Sequence, residues 1–374
     1  MNTPFGKLIE KDFFGKLFFG FILVSILFGA LMNGHAVRLL SDHIWLSCVI
    51  GALYIIMGLS TLMQKKITEK WRSKKLETTI GFSSCFFIYD FMILLLWKIL
   101  AVIFSVPERA EAIGVFCSDI LAAATVTMGY MHAKTIKHTS YSINIGIKKA
   151  DYQIVLISDI HLGAFVGEKH IQLIVDQINK LKADLVVICG DMIDSNNHIL
   201  ADSDALAKIS AIFQKIYAKE GVFAVLGNHD PKANHETFRK FLYASNIQLL
   251  HNQVVQLSKI NLVGRTNAYN NDRCPIQDFW GKLDTSKPTV VLDHDPCYIS
   301  EAVEFGADLV LSGHTHQGQF FPVTYFTKLA NGKHYFYGHE MFGKTHAIIS
   351  SGAGFFQLPV RIGTSNEIVD IHLT

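Results

Sequence analysis

The sequence predicts an α-helical transmembrane domain of four spans, followed by an α/β domain in which two packed β-sheets are flanked by helices. Residues 1–140 contain four long apolar stretches. After residue 140, short apolar runs alternate with helix-like segments, and several of the runs are followed by Asp, His or Asn. The rest of this second half is rich in candidate strands. We therefore place the two domains at residues 1–140 and 141–374.

Each of the four apolar stretches approaches or exceeds the length that a helix needs to cross a bilayer core, about 20 residues. They lack the periodic polar face of a soluble amphipathic helix, which argues against the alternative of buried core helices. One stretch would be compatible with a cleaved signal peptide, but four in series, with no small-residue cleavage pattern after the first, are not. The predicted spans are about 13–32, 44–63, 79–104 and 113–131.

The distribution of Lys and Arg between the loops predicts the orientation of the spans. The loop near 64–78 carries six basic residues, whereas the loops near 33–43 and 105–112 carry one each. The flanks before the first span and after the fourth are basic as well. We therefore expect an integral protein of a bacterial inner membrane with its C-terminal domain in the cytoplasm. No flexible tether follows the fourth span, so this domain is expected close to the bilayer.

Three ionisable residues fall within the predicted spans: Asp90, Lys98 and Asp119. Charges inside a membrane are costly and often functional. A transport role is one interpretation, and packing between the helices is the one that we favour.

Residues that can bind metal follow five apolar runs of the second half. The runs are 154–157, 185–188, 222–226, 290–292 and 309–311, and the residues after them are Asp159 and His161, Asp191 and Asp194, Asn228 with His229 and Asp230, His294, and His314 with His316. Short β-branched runs that alternate with helices indicate a sheet buried on both faces. Ligands of such sheets bind at the carboxyl ends of the strands. We therefore expect these side chains to converge on one crevice.

The remaining elements complete the predicted α/β domain. Helices are predicted at 168–181, 202–218 and 235–244. Alternation of polar and apolar residues predicts a strand at 141–147. Further candidate strands suggest a second sheet packed on the first, and they lie at 248–250, 254–257, 261–263, 347–350 and 368–373.

The candidate ligands are more numerous than one metal needs, since they comprise two carboxylates, one amide oxygen and four imidazoles. Asp191 is the natural bridge because a carboxylate can bind two cations. Two divalent ions would polarise a phosphate and supply a bridging hydroxide that attacks it at neutral pH. Nitrogen and oxygen ligands without thiolate suit Mn, Fe or Zn, and the six scattered cysteines form no C-x-x-C pair.

His229 is the best candidate for a general acid on the leaving oxygen, because it directly follows the ligand Asn228. Asp230 follows in turn and could orient that imidazole, as a carboxylate behind a histidine often does. We therefore name His229 and Asp230 as the catalytic pair.

These blocks resemble, in order, the five motifs of the calcineurin-like metallophosphoesterases, over residues 150–374. The matching blocks are Asp159-x-His161, Gly190-Asp191-x-x-Asp194, Gly227-Asn228-His229-Asp230, His294 and Gly313-His314-x-His316. The later Gly318-Gln319, the glycine-rich 351–354 and the segment 359–363 resemble a membrane-associated bacterial branch. That branch includes the YkuE-like phosphodiesterases and the UDP-diacylglucosamine pyrophosphatases.

The resemblance implies a sandwich of two β-sheets with two metal ions. One ion would be held by Asp159, His161, Asp191 and His316, and the other by Asp191, Asn228, His294 and His314. His229 would protonate the leaving group or stabilise the transition state, and Asp194 is expected to be structural. One departure is Asp293, where relatives often carry Ser. Together with Asp295, its negative charge could alter the metal preference or repel anionic substrates.

We expect a membrane-anchored phosphoesterase that cleaves a phosphodiester or pyrophosphate bond of a lipid-linked or nucleotide-sugar-lipid substrate. The apolar segment 355–359 and the aromatic-rich segment 319–337 support this, unless they form an ordinary core or a β-hairpin. Soluble nucleotides or phosphomonoesters are the alternative substrates. Nucleic acid is not expected, because residues 141–374 hold 20 Lys/Arg against 23 Asp/Glu. An inactive membrane scaffold would lack ligands, and the sequence lacks none.

Overall fold

A computed structural model describes residues 4–41, 43–63, 73–145, 152–194, 198–267 and 272–374. The chain divides into two compact units, Met1–Gly129 and Tyr130–Thr374. This division falls earlier in the chain than the predicted boundary after residue 140.

The first unit contains four helices that are long and apolar enough to cross a membrane, among the residues that the structure describes. They are α1 (Pro4–Leu40), α2 (Ile44–Leu62), α3 (Lys74–Ile103) and α4 (Glu108–Ala133). Each corresponds to one predicted span to within one residue or extends beyond it, and α1 extends beyond its prediction at both ends. The basic residues Lys65, Lys66, Lys70, Arg72, Lys148 and Lys149, on which the predicted orientation partly depends, lie outside the described residues.

Apolar side chains are exposed on all four helices, as expected of surfaces that face lipid. Leu31, Ile56, Val102 and Ile120 are each more than 60% exposed. Two of the three ionisable residues make contacts between helices instead. Asp90 is fully buried and accepts a 2.8 Å hydrogen bond from the Tyr54 hydroxyl of α2. Lys98 of α3 forms an ion pair with Glu111 of α4. These contacts agree with a packing role for both residues.

The strands that the structure describes in the second unit form two six-stranded sheets. The first has the order β1-β12-β2-β3-β4-β5, and the second has the order β10-β11-β9-β8-β7-β6. Strands β1–β5 are Ile136–Ile143, Tyr152–Ile157, Leu185–Cys189, Val222–Val225 and Ile247–Leu249. Strands β6–β9 are Gln253–Gln256, Asn261–Gly264, Thr289–Leu292 and Leu309–Ser312. Strands β10–β12 are Gly338–Phe342, Thr345–Ile349 and Asn366–Leu373.

Five helices accompany these sheets within the described part of the second unit. They are α5 (Glu168–Leu181), α6 (Ser203–Phe213), α7 (Glu236–Ala244), α8 (Ile299–Phe305) and α9 (Val323–Asn331). The first three match the predicted helices, although α6 ends earlier than predicted. Short 3-10 turns follow several strands, among them His316–Gly318.

The two-residue period of the strands decides which side chains form each core. Ile154 and Leu156 of β2 belong to the cluster between the sheets, where they meet Leu292 and Leu311 of the second sheet. The alternate residues, such as Val155, belong to the cluster that contains α5, α6 and α7. Burial of each such side chain stabilises the fold by about 1.5–3 kcal/mol. The predicted α/β architecture of two packed sheets flanked by helices is therefore confirmed.

Two segments differ from their predictions. The first strand of the second unit spans Ile136–Ile143 rather than 141–147, because it pairs in parallel with Asn366–Leu373; residues 146–150 lie outside the described part. The aromatic-rich segment contains α9, a helix that was not predicted, so it does not adopt the β-hairpin that was one of the alternatives for it. Phe321, Tyr325, Phe326 and Leu329 are 54–69% exposed, whereas Phe320 and Phe336 are buried.

Candidate metal centre

Five strand ends meet at one edge of the two sheets and carry the seven predicted ligands. Strands β2, β3 and β4 are parallel neighbours, as are β8 and β9, so their carboxyl ends lie side by side. Four of these strands end two residues before a ligand, namely Asp159, Asp191, His294 and His314. The Nδ1–H of His294 donates to the carbonyl of Cys189 over 2.7 Å, which joins the two sheet edges.

Asp159, His161 and His316 form a first group of ligand atoms, all within 4.8 Å of one another. His161 Nε2 lies 3.0 Å from His316 Nε2, and His316 Nε2 lies 3.4 Å from Asp159 Oδ1. The Nδ1 atoms of both imidazoles are buried and have no hydrogen-bond partner among the described residues. The Nε2 atoms and the carboxylate therefore point at one small volume.

Asp191, His294 and His314 form the second group, again within 4.8 Å. His294 Nε2 lies 3.2 Å from Asp191 Oδ2. The amide oxygen of Asn228 lies 3.1 Å from His294 Nε2 and 2.7 Å from His314 Nδ1. Because the Nδ1 of His294 is engaged by Cys189, its Nε2 is free to act as a ligand.

Asp191 connects the two groups. Its Oδ2 lies 3.8 Å from His161 Nε2 of the first group and 3.2 Å from His294 Nε2 of the second. Its Oδ1 accepts the backbone N–H of His229 at 2.8 Å. Asp191 therefore lies between the two groups, within 4 Å of an imidazole nitrogen of each.

The backbone at the site is held in an uncommon conformation. Asp159, His161, Asp191, His314 and His316 all have φ between 50° and 73°, in the left-handed region. Each such residue costs about 1–3 kcal/mol, and the conformation persists only where surrounding contacts offset that cost. Close approach also explains Gly227, where a Cβ would lie 2.0 Å from Asp191 Oδ1. The ligand loops are thus defined by their contacts rather than by local preference.

Burial and charge at the site favour a bound cation. Asp159 and Asp191 are 0% and 1% exposed, and an isolated buried carboxylate is costly. Burial raises the pKa of Asp159 to about 6. Burial alone would also raise the pKa of Asp191, but His294 and His161 hold it well below its usual range. Burial lowers the pKa of His161 to about 3 and that of His316 far below its usual range, so both are neutral ligands at pH 7. The residues present therefore fit divalent metal ions.

His229 and Asp230 lie beside the ligands in different roles. The His229 ring is half-buried, and its centroid is 5.4 Å from that of His161. The two carboxylate oxygens of Asp230 accept the backbone N–H groups of Gly227 and Ile193 at 2.8 and 3.0 Å. Asp230 therefore braces the loop that carries Asn228, and its orientation of the His229 ring stays a prediction. Asp194 is buried and packs against Gly163.

The negative charge of Asp293 is compensated within the protein. Its Oδ2 lies 3.3 Å from Arg265 Nη1 and 2.6 Å from Arg273 Nη2. Burial raises the pKa of Asp293, and the two guanidinium groups oppose that rise. The Asp295 carboxylate caps the Cys297 N–H at 2.9 Å. The pairing of Asp293 removes the physical basis for the expectation that its charge repels anionic substrates.

Arg361, Gln319 and Phe356 contact residues of the site, although none of them was predicted as a metal ligand or a catalytic residue. Arg361 is fully buried and donates to the carbonyls of His316, Ser351 and Gly354 at 2.6–2.8 Å. Its one available signal was a single charge within the apolar segment 359–363.

Residues 152–318 match the model of the calcineurin-like phosphoesterases. An uncharacterised metallophosphoesterase of Helicobacter pylori is 34% identical over 235 residues, which cover 60% of each chain. A transmembrane protein with metallophosphoesterase domain of Danio rerio is 30% identical, over 71% of this chain and 65% of its own length. The uncharacterised metallophosphoesterase YkuE of Bacillus subtilis is 27% identical, over 68% and 93%. The chain thus spans less than two thirds of the first two relatives.

Proposed function

Since the family model and these relatives support the calcineurin-like metallophosphoesterase family for this chain, we propose that it is a membrane-anchored hydrolase of phosphodiester or pyrophosphate bonds. The observation that carries the proposal is the pair of buried ligand groups joined by Asp191. Asp159, His161, Asp191 and His316 would hold one divalent ion, and Asp191, Asn228, His294 and His314 the other. Manganese, iron and zinc suit this ligand set.

When bound, two such ions would polarise the phosphoryl oxygens and lower the pKa of an attacking water. The residues of the chain supply the rest. His229 is placed by its backbone bond to Asp191 and donates a proton from its ring to the leaving oxygen. Asp230 fixes the loop that presents both Asn228 and His229. The Cys189 carbonyl accepts the Nδ1–H of His294, so Nε2 is the nitrogen that would bind metal once it has lost its proton.

We also propose that the substrate is lipid-linked. Four helices long and apolar enough to cross a membrane belong to the same chain. In the second unit, Phe321, Tyr325, Phe326 and Leu329 lie exposed on and before α9. Helix α9 follows the turn His316–Gly318, where Gly318 approaches Thr324 closely. An exposed apolar patch beside a site suits contact with acyl chains or a membrane surface.

A substrate comparison on the full-length protein tests this function. The protein in detergent, loaded with Mn²⁺, would be given UDP-diacylglucosamine in mixed micelles and, separately, soluble UDP-N-acetylglucosamine. Asp191→Asn and His229→Gln should abolish or strongly reduce turnover, whereas the matched surface change Asp176→Asn should not. Preference for the lipid supports the proposal, and preference for the soluble nucleotide supports a soluble substrate. Equal inertness of the wild type and both site variants would leave the scaffold interpretation.

The cytoplasmic placement of the second unit is likewise a proposal, and it rests on the basic loops. A green fluorescent protein fused after Thr374 should fluoresce in a bacterial host, because that reporter matures in the cytoplasm. A dark fusion, with alkaline phosphatase active at the same position, would reverse the orientation.

A further inference from the structure

The Phe356 ring lies against the imidazoles of the candidate metal centre. Its centroid is 4.6 Å from that of His229 at an interplanar angle of 30°, and 5.1 Å from that of His161. The His316 ring is 6.2 Å away. The ring is half-buried, so part of its surface remains accessible. The ring of His229, which would donate a proton to the leaving oxygen, thus has an apolar surface beside it.

Two buried side chains fix the position of Phe356. Gln319 accepts the Phe356 N–H at 2.7 Å and donates to the carbonyls of Phe356 and Leu358 at 3.1 and 2.8 Å. Arg361 ties the neighbouring Gly354 to His316, a ligand residue. The segment that carries Phe356 is therefore bound to the same loop as two of the metal ligands. These hydrogen bonds hold the backbone that carries the Phe356 ring, so the ring presents a fixed apolar surface beside the site.

Two arginines near the site, within the described part of the second unit, have their charges engaged by protein groups. The guanidinium of Arg361 is buried and engaged by backbone carbonyls and by Asn366. That of Arg265 is engaged by Asp293 and Glu301. Neither of these guanidinium groups is therefore available to a substrate group beside His229, where the apolar ring of Phe356 lies.

We propose that Phe356 is a specificity-determining residue that favours phosphoesters with an apolar group on the ester oxygen next to His229. This inference rests on the proposed function and narrows its substrate class. An alkyl or acyl group on the ester oxygen gains free energy when it leaves water and packs against the ring. A hydroxyl-rich group there loses hydrogen bonds to water, which disfavours its binding. One methylene in an apolar contact can change binding about tenfold or more.

Two competitive inhibitors of equal charge and similar size test the proposal: dibutyl phosphate, with apolar arms, and bis(glyceryl) phosphate, with hydrated arms. Their inhibition constants would be measured on the full-length, Mn²⁺-loaded protein against turnover of bis(p-nitrophenyl) phosphate. Ligand-induced thermal shifts of the same samples give a readout that does not need turnover. The wild type should prefer dibutyl phosphate by about tenfold.

Phe356→Ala should bring the ratio of the two inhibition constants close to one at unchanged metal content. Phe356→Leu should keep most of the preference, and the exposed neighbour variant Gln357→Ala should keep all of it. The proposal is overturned if the wild type binds the two inhibitors equally well. It is also overturned if Phe356→Ala raises both inhibition constants by the same factor. A wild type that neither turns over the diester nor shifts with either inhibitor overturns the proposed function as well. Normal turnover with an unaltered ratio in Phe356→Ala overturns this inference alone.

Discussion

Replacement of Gly227 by alanine is expected to disable the metal centre while leaving the fold in place. A Cβ at this position would lie 2.0 Å from Asp191 Oδ1 and 2.4 Å from the Asp191 backbone nitrogen. Non-bonded carbon contacts settle at about 3.5–4.0 Å, so the carboxylate must move by more than about 1 Å. A rotamer change of Asp191 gives no escape, because the backbone is also too close. The displaced oxygen is the one that accepts the His229 N–H.

A misplacement of about 1 Å costs about 100-fold in rate, and overpacking costs about 1–3 kcal/mol of stability. Gly227→Ala should therefore lower kcat/KM by at least about 100-fold and reduce bound Mn²⁺, measured by elemental analysis after desalting. Gly281→Ala is the matched control, since no atom lies within 4 Å of a Cβ there. A Gly227→Ala protein with wild-type metal content and kcat/KM would refute the assigned position of Asp191.

Three further outcomes are expected. Burial lowers the pKa of His294 and the Asp191 carboxylate raises it, and the pKa ends at about 10. The metal-free ring is therefore an imidazolium at pH 7, and metal must displace the proton on its Nε2. Calorimetry in buffers of different ionisation enthalpy should then show proton release and tighter metal binding as pH rises toward 10; proton-neutral binding would contradict this. Arg361→Met leaves buried carbonyls without a hydrogen-bond donor, at a cost of about 1–3 kcal/mol each. The urea concentration at the midpoint of unfolding and the amount of retained metal should therefore both fall. Arg239→Met, at an exposed position of α7, is the control that should change neither. Asp293→Asn removes the buried one of the two carboxylates that Arg265 and Arg273 share, while Glu301 remains. The free energy of unfolding should therefore fall by about 1–3 kcal/mol, whereas the exposed Asp278→Asn should not change it.

The spacing of ligands after strands could be predicted because it depends on a general property of parallel sheets. Once Ile154–Ile157 and Leu185–Ile188 are identified as strands, their carboxyl ends must lie together, and Asp159 and Asp191 with them. The helix Glu168–Leu181 followed from its apolar period alone. These features are decided by residues that are close in sequence.

Features decided by distant residues could not be predicted in this way. The position of β1 depends on its partner Asn366–Leu373, at the other end of the unit. The left-handed backbone of Asp159 is held by bonds such as that from Gly354 N–H to its carbonyl. Arg361 and Gln319 act on carbonyls far away in sequence, so their types alone do not disclose their roles. The ion pairs of Asp293 could not be predicted for the same reason, because Arg265 and Arg273 precede it by many residues.

The candidate metal ligands and the residues proposed to contact the substrate come from different segments, so the ligand motifs alone do not identify the substrate. The seven candidate ligands lie from Asp159 to His316, just after strand ends. The apolar surfaces that would contact an ester arm come from α9 and from Phe356, which follow the last ligand. A chain could keep every ligand and change its substrate by altering residues 319–361 alone. The preference of this protein should therefore follow substitutions at Phe356 and Tyr325, while its metal affinity follows Asp191 and Gly227.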